Sequence, residues 1–132
     1  MGMKTEISRY AAETILREAA ASPLAEVCGL LLGQGGRIAE ARPCRNIADD
    51  PARRFEIDPA ALLAAHRAAR GSGPALLGHY HSHPSGKPEP SACDAAHALD
   101  VGALWIITDG CRLCGWRVVA PGRFDPEELV VA

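Results

Sequence analysis

Apolar residues recur at helical spacing between Ile7 and Ala21 (Ile7, Tyr10, Ala11, Ile15, Leu16, Ala19) among good helix formers, which predicts an amphipathic helix. Ser22-Pro23 ends it, because a residue before proline is pushed out of the α region. Glu26 to Leu32 is short, mostly apolar and closed by Gly33, the pattern of a strand buried on both faces. Gln34-Gly35-Gly36 then turns the chain into an alternating partner strand, Arg37 to Pro43. Asn46 to Arg53 is polar and contains Pro51, so it reads as a loop, and Phe55-Glu56-Ile57 alternates as a short strand. Asp58-Pro59 sets an N-cap before a proline at the first helical position and opens a helix to about Arg70.

Gly71-Ser72-Gly73-Pro74 closes that helix, and Ala75 to His83 forms the next strand. After a proline- and glycine-rich loop, Pro84 to Pro90, Ser91 is placed to cap a helix over Ala92 to Leu99 with Asp94 in its first turn. Ala103 to Thr108 and Leu113 to Val119 pair as a hairpin about Asp109-Gly110, and the tail from Pro121 has mixed character. The order of elements predicts an α/β fold: one domain over residues 1–132, with a central mixed β-sheet flanked by helices.

Composition narrows the functional classes. The 132 residues are 48% hydrophobic and 23% charged, enough to bury a core without staples. A net charge of -2 gives no electrostatic case for nucleic acid or an anionic membrane as partner. The apolar runs are too short to span a bilayer, and no signal peptide is evident, so the expected location is cytoplasmic. Five cysteines, Cys28, Cys44, Cys93, Cys111 and Cys114, agree with free thiols in a reducing compartment. Cys111 and Cys114 form a C-x-x-C, but positions three apart on a strand face opposite ways and do not share a metal.

Candidate chemistry is concentrated between Gly78 and Asp94. On a strand, His81 and His83 point to one face and offer two imidazole nitrogens to a metal. An H-x-H pair is equally compatible with packed core imidazoles. Asp94 and Ser91 on the next element favour the metal reading without deciding it. Two nitrogens and one carboxylate leave a fourth tetrahedral position open, the arrangement of a catalytic zinc. His79 shares their face by strand parity and is a possible ligand, while His97, one helical turn after Asp94, could orient a ligand or simply be exposed. Glu26, an acid in an apolar segment, is costly to bury unless it is paired or functional.

His81-Ser82-His83-Pro84, six residues, and Ser91-Ala92-Cys93-Asp94 resemble the JAMM (MPN-plus) signature H-[ST]-H-P-x6-S-x-x-D without departure. The segment Pro23-Leu24-Ala25-Glu26-Val27-Cys28-Gly29-Leu30-Leu31-Leu32-Gly33 is similar to the early strand on which that family carries a glutamate. The resemblance spans Glu26 to Trp116 and is greatest to the compact prokaryotic members. It implies that His81, His83 and Asp94 bind Zn2+, that Glu26 is general base and then acid, and that Ser91 stabilises the oxyanion.

The resemblance further implies a zinc metallopeptidase that hydrolyses the amide bond after the C-terminal Gly-Gly of a ubiquitin-like or sulfur-carrier protein. A deconjugating protease of a bacterial ubiquitin-like conjugation or antiphage system is the related alternative. Arg45, Arg53 and Arg54 mark a candidate docking loop for an acidic carrier. Two other classes stand beside these. A non-catalytic MPN scaffold would require Glu26, Ser91 and the three ligands to be vestigial. A zinc nucleobase deaminase would require H-x-E and P-C-x-x-C segments, and neither occurs. Oligomeric state is not legible in the sequence.

Overall fold

The structure, a computed structural model, describes residues 3–132; the first two residues of the expected 1–132 domain lie outside the described part. Ser8 decides how the chain begins. Its Oγ accepts the Ala11 N–H at 3.0 Å, so it caps helix α1, Arg9–Ala20. Ile7, expected in the helix, instead ends strand β1, Met3–Ile7, and Tyr10 is 66% exposed. Ile15, Ala11 and Ala12 form the buried stripe of α1.

Strands β2 (Cys28–Gln34) and β3 (Arg37–Cys44) make the expected hairpin. Both faces of β2 are covered, which is why its sequence is a continuous apolar run. Leu31 packs with Ile15 of α1, Ile38 and Tyr80. Leu30 and Leu32 face the other way, onto Ala65 of helix α2, Pro59–Arg70. Asp58 caps α2 through its Oδ1, with Pro59 at the first turn, as the sequence predicted. The short strand expected at Phe55–Ile57 is reduced to a single bridge between Ile57 and Asn46.

Strand β4 (Ala75–Ser82) lies between β2, antiparallel, and β5 (Leu104–Thr108), parallel. Gly78 is required where β4 and β5 converge: a Cβ there would stand 1.8 Å from the Leu104 carbonyl oxygen. Between the two strands the chain forms the short helix α3, Ala92–His97. β5 and β6 (Leu113–Ala120) are the predicted second hairpin.

The tail is a strand, not an irregular segment. β7, Arg123–Val131, pairs antiparallel with β6 and parallel with β1. The mixed sheet therefore closes into a barrel in the order β1-β3-β2-β4-β5-β6-β7. Pro126 is tolerated because it sits one residue beyond the β1 ladder, which begins at Glu127. At the closing seam Glu127 is buried and accepts hydrogen bonds from Arg117 Nε, at 2.7 Å, and from Thr5. Among the described residues no helix is long and apolar enough to cross a membrane, and all five cysteines are free thiols.

Candidate metal centre

The face of β4 that carries Tyr80 packs into the core with α1, and its opposite face presents His79 and His81 toward Phe55 and Trp105. Past the end of the strand, the His83 N–H donates to the Thr108 carbonyl at 2.8 Å, which keeps His83 beside His81. Asp94 arrives from α3. Ser91 and Asp94 form a capping box: Ser91 Oγ accepts the Asp94 N–H at 3.0 Å, and the Ser91 N–H donates to Asp94 Oδ2 at 2.9 Å. The same Oδ2 is 3.2 Å from His81 Nε2 and 3.2 Å from His83 Nε2, and the two nitrogens are 3.1 Å apart.

That near-equilateral triangle fits a metal. Two ligand atoms held about 2.0–2.1 Å from a tetrahedral zinc lie about 3.3 Å apart. At His83 the hydrogen bonding points the same way, while His81 Nδ1 is buried without a partner. The Lys87 carbonyl lies 2.8 Å from His83 Nδ1, so that nitrogen carries a hydrogen and Nε2 is the atom aimed into the triangle. Burial lowers the His83 pKa, but Asp94 and the Lys87 carbonyl outweigh it and raise it. An imidazole nitrogen 3.2 Å from a carboxylate oxygen needs a positive centre between them, a proton when no metal is bound and a metal ion when one is. His81 is fully buried, with its ring stacked on Phe55 at 4.2 Å. Burial lowers the His81 pKa and so favours the neutral, ligating form. Burial alone would raise the pKa of Asp94, but hydrogen bonds from both imidazoles and the Ser91 N–H hold it far below the usual carboxylate range.

Glu26 lies in the extended segment two residues before β2, not on the strand as expected. Its backbone is tied down on three sides. The Glu26 N–H donates to the Pro51 carbonyl at 2.7 Å, Asn46 Nδ2 donates to the Glu26 carbonyl at 3.0 Å, and Ser82 Oγ accepts the Val27 N–H at 2.9 Å. The side chain is 7% exposed, its Oε1 is buried without a partner, and its carboxylate is within 4.8 Å of the ligating nitrogens of both His81 and His83. Burial lifts its pKa to about 7; His83 pulls it down and Asp94 adds to the rise. A carboxyl so placed can exchange a proton near neutral pH with whatever occupies the open corner of the triangle.

Ser91 is exposed at the rim, and its oxygen, already accepting the Asp94 N–H, keeps its own proton to donate. His79 is not brought into the triangle; it packs against Trp105, with ring centroids 4.3 Å apart. His97 is exposed, and its Nδ1 donates to the Cys93 carbonyl at 2.8 Å rather than to a metal ligand. The Arg53 and Arg54 guanidiniums pair with Asp50 and Asp49 of their own loop, which weakens that loop as a basic docking surface. The sequence reading missed the supporting groups: Ser82, the Lys87 carbonyl, the Phe55 ring, and Trp116, whose Nε1 holds the Pro88 carbonyl at 3.0 Å. Only Ser82, inside the H-x-H, carried a positional signal.

Comparison with known proteins follows the same lines. Residues 8–119 match the family described as prokaryotic homologs of the JAB domain. A desampylase of Pyrococcus furiosus is 31% identical over 126 residues, 95% of this chain and 89% of that protein. A desampylase of Haloferax volcanii is 37% identical over 91 residues, 67% of this chain and 66% of that protein. A probable TtuB-protein conjugate cleaving protease of Thermus thermophilus is 37% identical over 107 residues, 78% and 72% of the two chains. Among solved structures, a Desulfitobacterium hafniense protein superposes with a TM-score of 0.83 at 27% identity, over 98% of this chain and 93% of that one. A JAB1/MPN domain protein from Archaeoglobus fulgidus shares the fold, with a TM-score of 0.60 at 23% identity over 96% of each chain.

Proposed function

The chain belongs to the family of prokaryotic JAB-domain homologs, and from that premise we propose that it is a zinc-dependent isopeptidase acting after the C-terminal Gly-Gly of a ubiquitin-like or sulfur-carrier protein. The observation that carries the reading is the triangle of His81 Nε2, His83 Nε2 and Asp94 Oδ2, with edges of 3.1 to 3.2 Å and Glu26 beside it. Glu26, His81 and His83 also cluster within 4.8 Å, but Asp94 is assigned as the third ligand because its Oδ2 stands 3.2 Å from both nitrogens, the spacing of atoms on one zinc, which leaves Glu26 as the base.

When bound, zinc supplies a Lewis acid that polarises the scissile carbonyl and acidifies a water molecule. Glu26, its carboxylate within 4.8 Å of both imidazoles, takes the proton from the attacking water and later passes it to the departing amine. Ser91 directs its O–H at the oxygen that gains charge in the tetrahedral step, a contact worth about 3 kcal/mol when aligned. The Ser91 N–H holds the Asp94 carboxylate in place throughout.

The Thermus thermophilus relative, named for cleaving protein conjugates, favours an isopeptide bond between a carrier tail and a lysine over simple trimming of a precursor. The test is to incubate zinc-loaded protein with a ubiquitin-fold carrier joined through its Gly-Gly terminus to a lysine ε-amine, and to read the products by intact mass. Release of carrier ending at Gly-Gly, abolished by a chelator and by Glu26→Gln, is the expected result. A protein that binds zinc but releases no carrier from lysine- or cysteine-extended substrates contradicts the reading and favours a scaffold.

A further inference from the structure

The metal centre opens onto a groove that the hydrolytic step itself does not use. Two adjoining cavities of about 290 and 440 Å³ compose it; Asp94 lines the first, Leu99 and Val101 line the second, and His79, His97 and Trp105 line both. The walls are chiefly apolar, so a ligand running along the groove meets two imidazoles midway.

Hydrogen bonding fixes what each imidazole presents. His97 Nδ1 donates to the Cys93 carbonyl at 2.8 Å, which leaves Nε2 as the ring nitrogen free to accept from the groove. His79 has the reverse arrangement. Its Nδ1 is buried without a partner, and an orphaned lone pair is tolerated better in the interior than an orphaned N–H. The proton therefore resides on Nε2, which is not among the buried unpartnered atoms and makes no hydrogen bond among the described residues. Midway along the groove, between the polar groups of Arg54 and Glu56 in one cavity and His66 and Asp100 in the other, the two imidazoles thus set one donor beside one acceptor.

A peptide main chain needs that pairing, because each unit brings one acceptor carbonyl and one donor N–H. A leaving amine, whether a lysine side chain or a single cysteine, is too short to fill both cavities. The acyl side of the scissile bond is an extended tail that can. We infer that His79 and His97 read the main chain of the substrate's C-terminal tail, His79 Nε2–H donating to a tail carbonyl and His97 Nε2 accepting a tail N–H. The apolar walls take the side chains that precede the glycines. This assignment rests on the isopeptidase reading above and names the two residues that position its substrate.

The test uses the full, zinc-loaded chain and ubiquitin-fold carriers whose Gly-Gly terminus is joined to a lysine ε-amine or extended by one cysteine. His79→Leu and His97→Leu each raise KM five- to tenfold, about the worth of one hydrogen bond, with kcat within about twofold and zinc content unchanged. His79→Gln and His97→Gln keep a donor and an acceptor near the Nε2 positions and recover most of that loss, which a packing role would not produce. Carriers N-methylated at single tail positions lose the same factor against wild type and nothing further against His97→Leu. That comparison with wild type also stands if a Leu variant fails to fold. Cleavage with wild-type KM in both Leu variants and no effect of N-methylation overturns the tail assignment and leaves the isopeptidase reading intact. No cleavage of any such carrier by zinc-loaded wild type overturns both.

Discussion

Glu26 shows how much one side chain can cost when its partner is a metal. Burial raises its pKa from 4.5 to about 7, so the fold binds the proton more tightly than the unfolded chain does. That contribution to stability is present in full below about pH 4.5 and is lost as pH rises through 7; the gap corresponds to about 3 kcal/mol. Urea denaturation of metal-free protein should therefore show wild type losing about that much relative to Glu26→Gln between pH 4 and pH 8. A cation beside the carboxylate favours its charged form, so zinc loading should abolish the difference. The same substitution should reduce kcat by at least about a hundredfold while leaving zinc bound. Ser91 carries two tasks that substitution can separate. Ser91→Ala should cost about 1 kcal/mol of cap energy and about a hundredfold in kcat, whereas Ser91→Asp should restore the cap in a melting experiment without restoring the rate.

At the scale of elements, the site depends on β4 holding the segment before β2. Ser82 is 2% exposed and joins the two through its backbone and its hydroxyl. Ser82→Ala should destabilise the protein by about 1–3 kcal/mol by orphaning the Val27 N–H. It should also lower kcat with little change in zinc content, because His81 and His83 stay on their own segment; kinetics paired with metal analysis separates the two effects. Much of this was legible from spacing: His81 and His83 on one face, Asp94 in the first turn after its cap, and Asp58-Pro59 opening α2. The position of Glu26 off the strand was not, since an apolar run reads the same whether its first residues pair or are pinned by Pro51, Asn46 and Ser82. Nor was β7, because Asp125-Pro126-Glu127-Glu128 is poor in strand formers, and only its partners make it extended. The first strand was hidden for a related reason: Lys4, Thr5 and Glu6 alternate correctly, but the alternation is too short to distinguish from a leader into the helix.

Across the whole molecule, barrel closure is what turns these strands into a rigid frame. The closing seam passes through Glu127, where Arg117 and Thr5 converge on one buried carboxylate. Burial would raise the pKa of Glu127, but hydrogen bonds from Arg117 and Thr5 outweigh it and hold the group low, so its stabilisation is present above the unfolded pKa and lost as pH falls. Glu127→Ala should cost about 3–5 kcal/mol at neutral pH, read by chemical denaturation, and Glu127→Gln less. The central claim is that the frame exists to hold a metal on His81, His83 and Asp94 with Glu26 beside it as a base. Metal content by mass spectrometry on untagged wild type, His83→Ala, Asp94→Ala and Glu26→Gln tests it most directly. About one zinc per chain in wild type and Glu26→Gln, with loss in the other two, is the predicted result. Zinc absent from wild type and not taken up on incubation, or retained in Asp94→Ala and lost in Glu26→Gln, would contradict it.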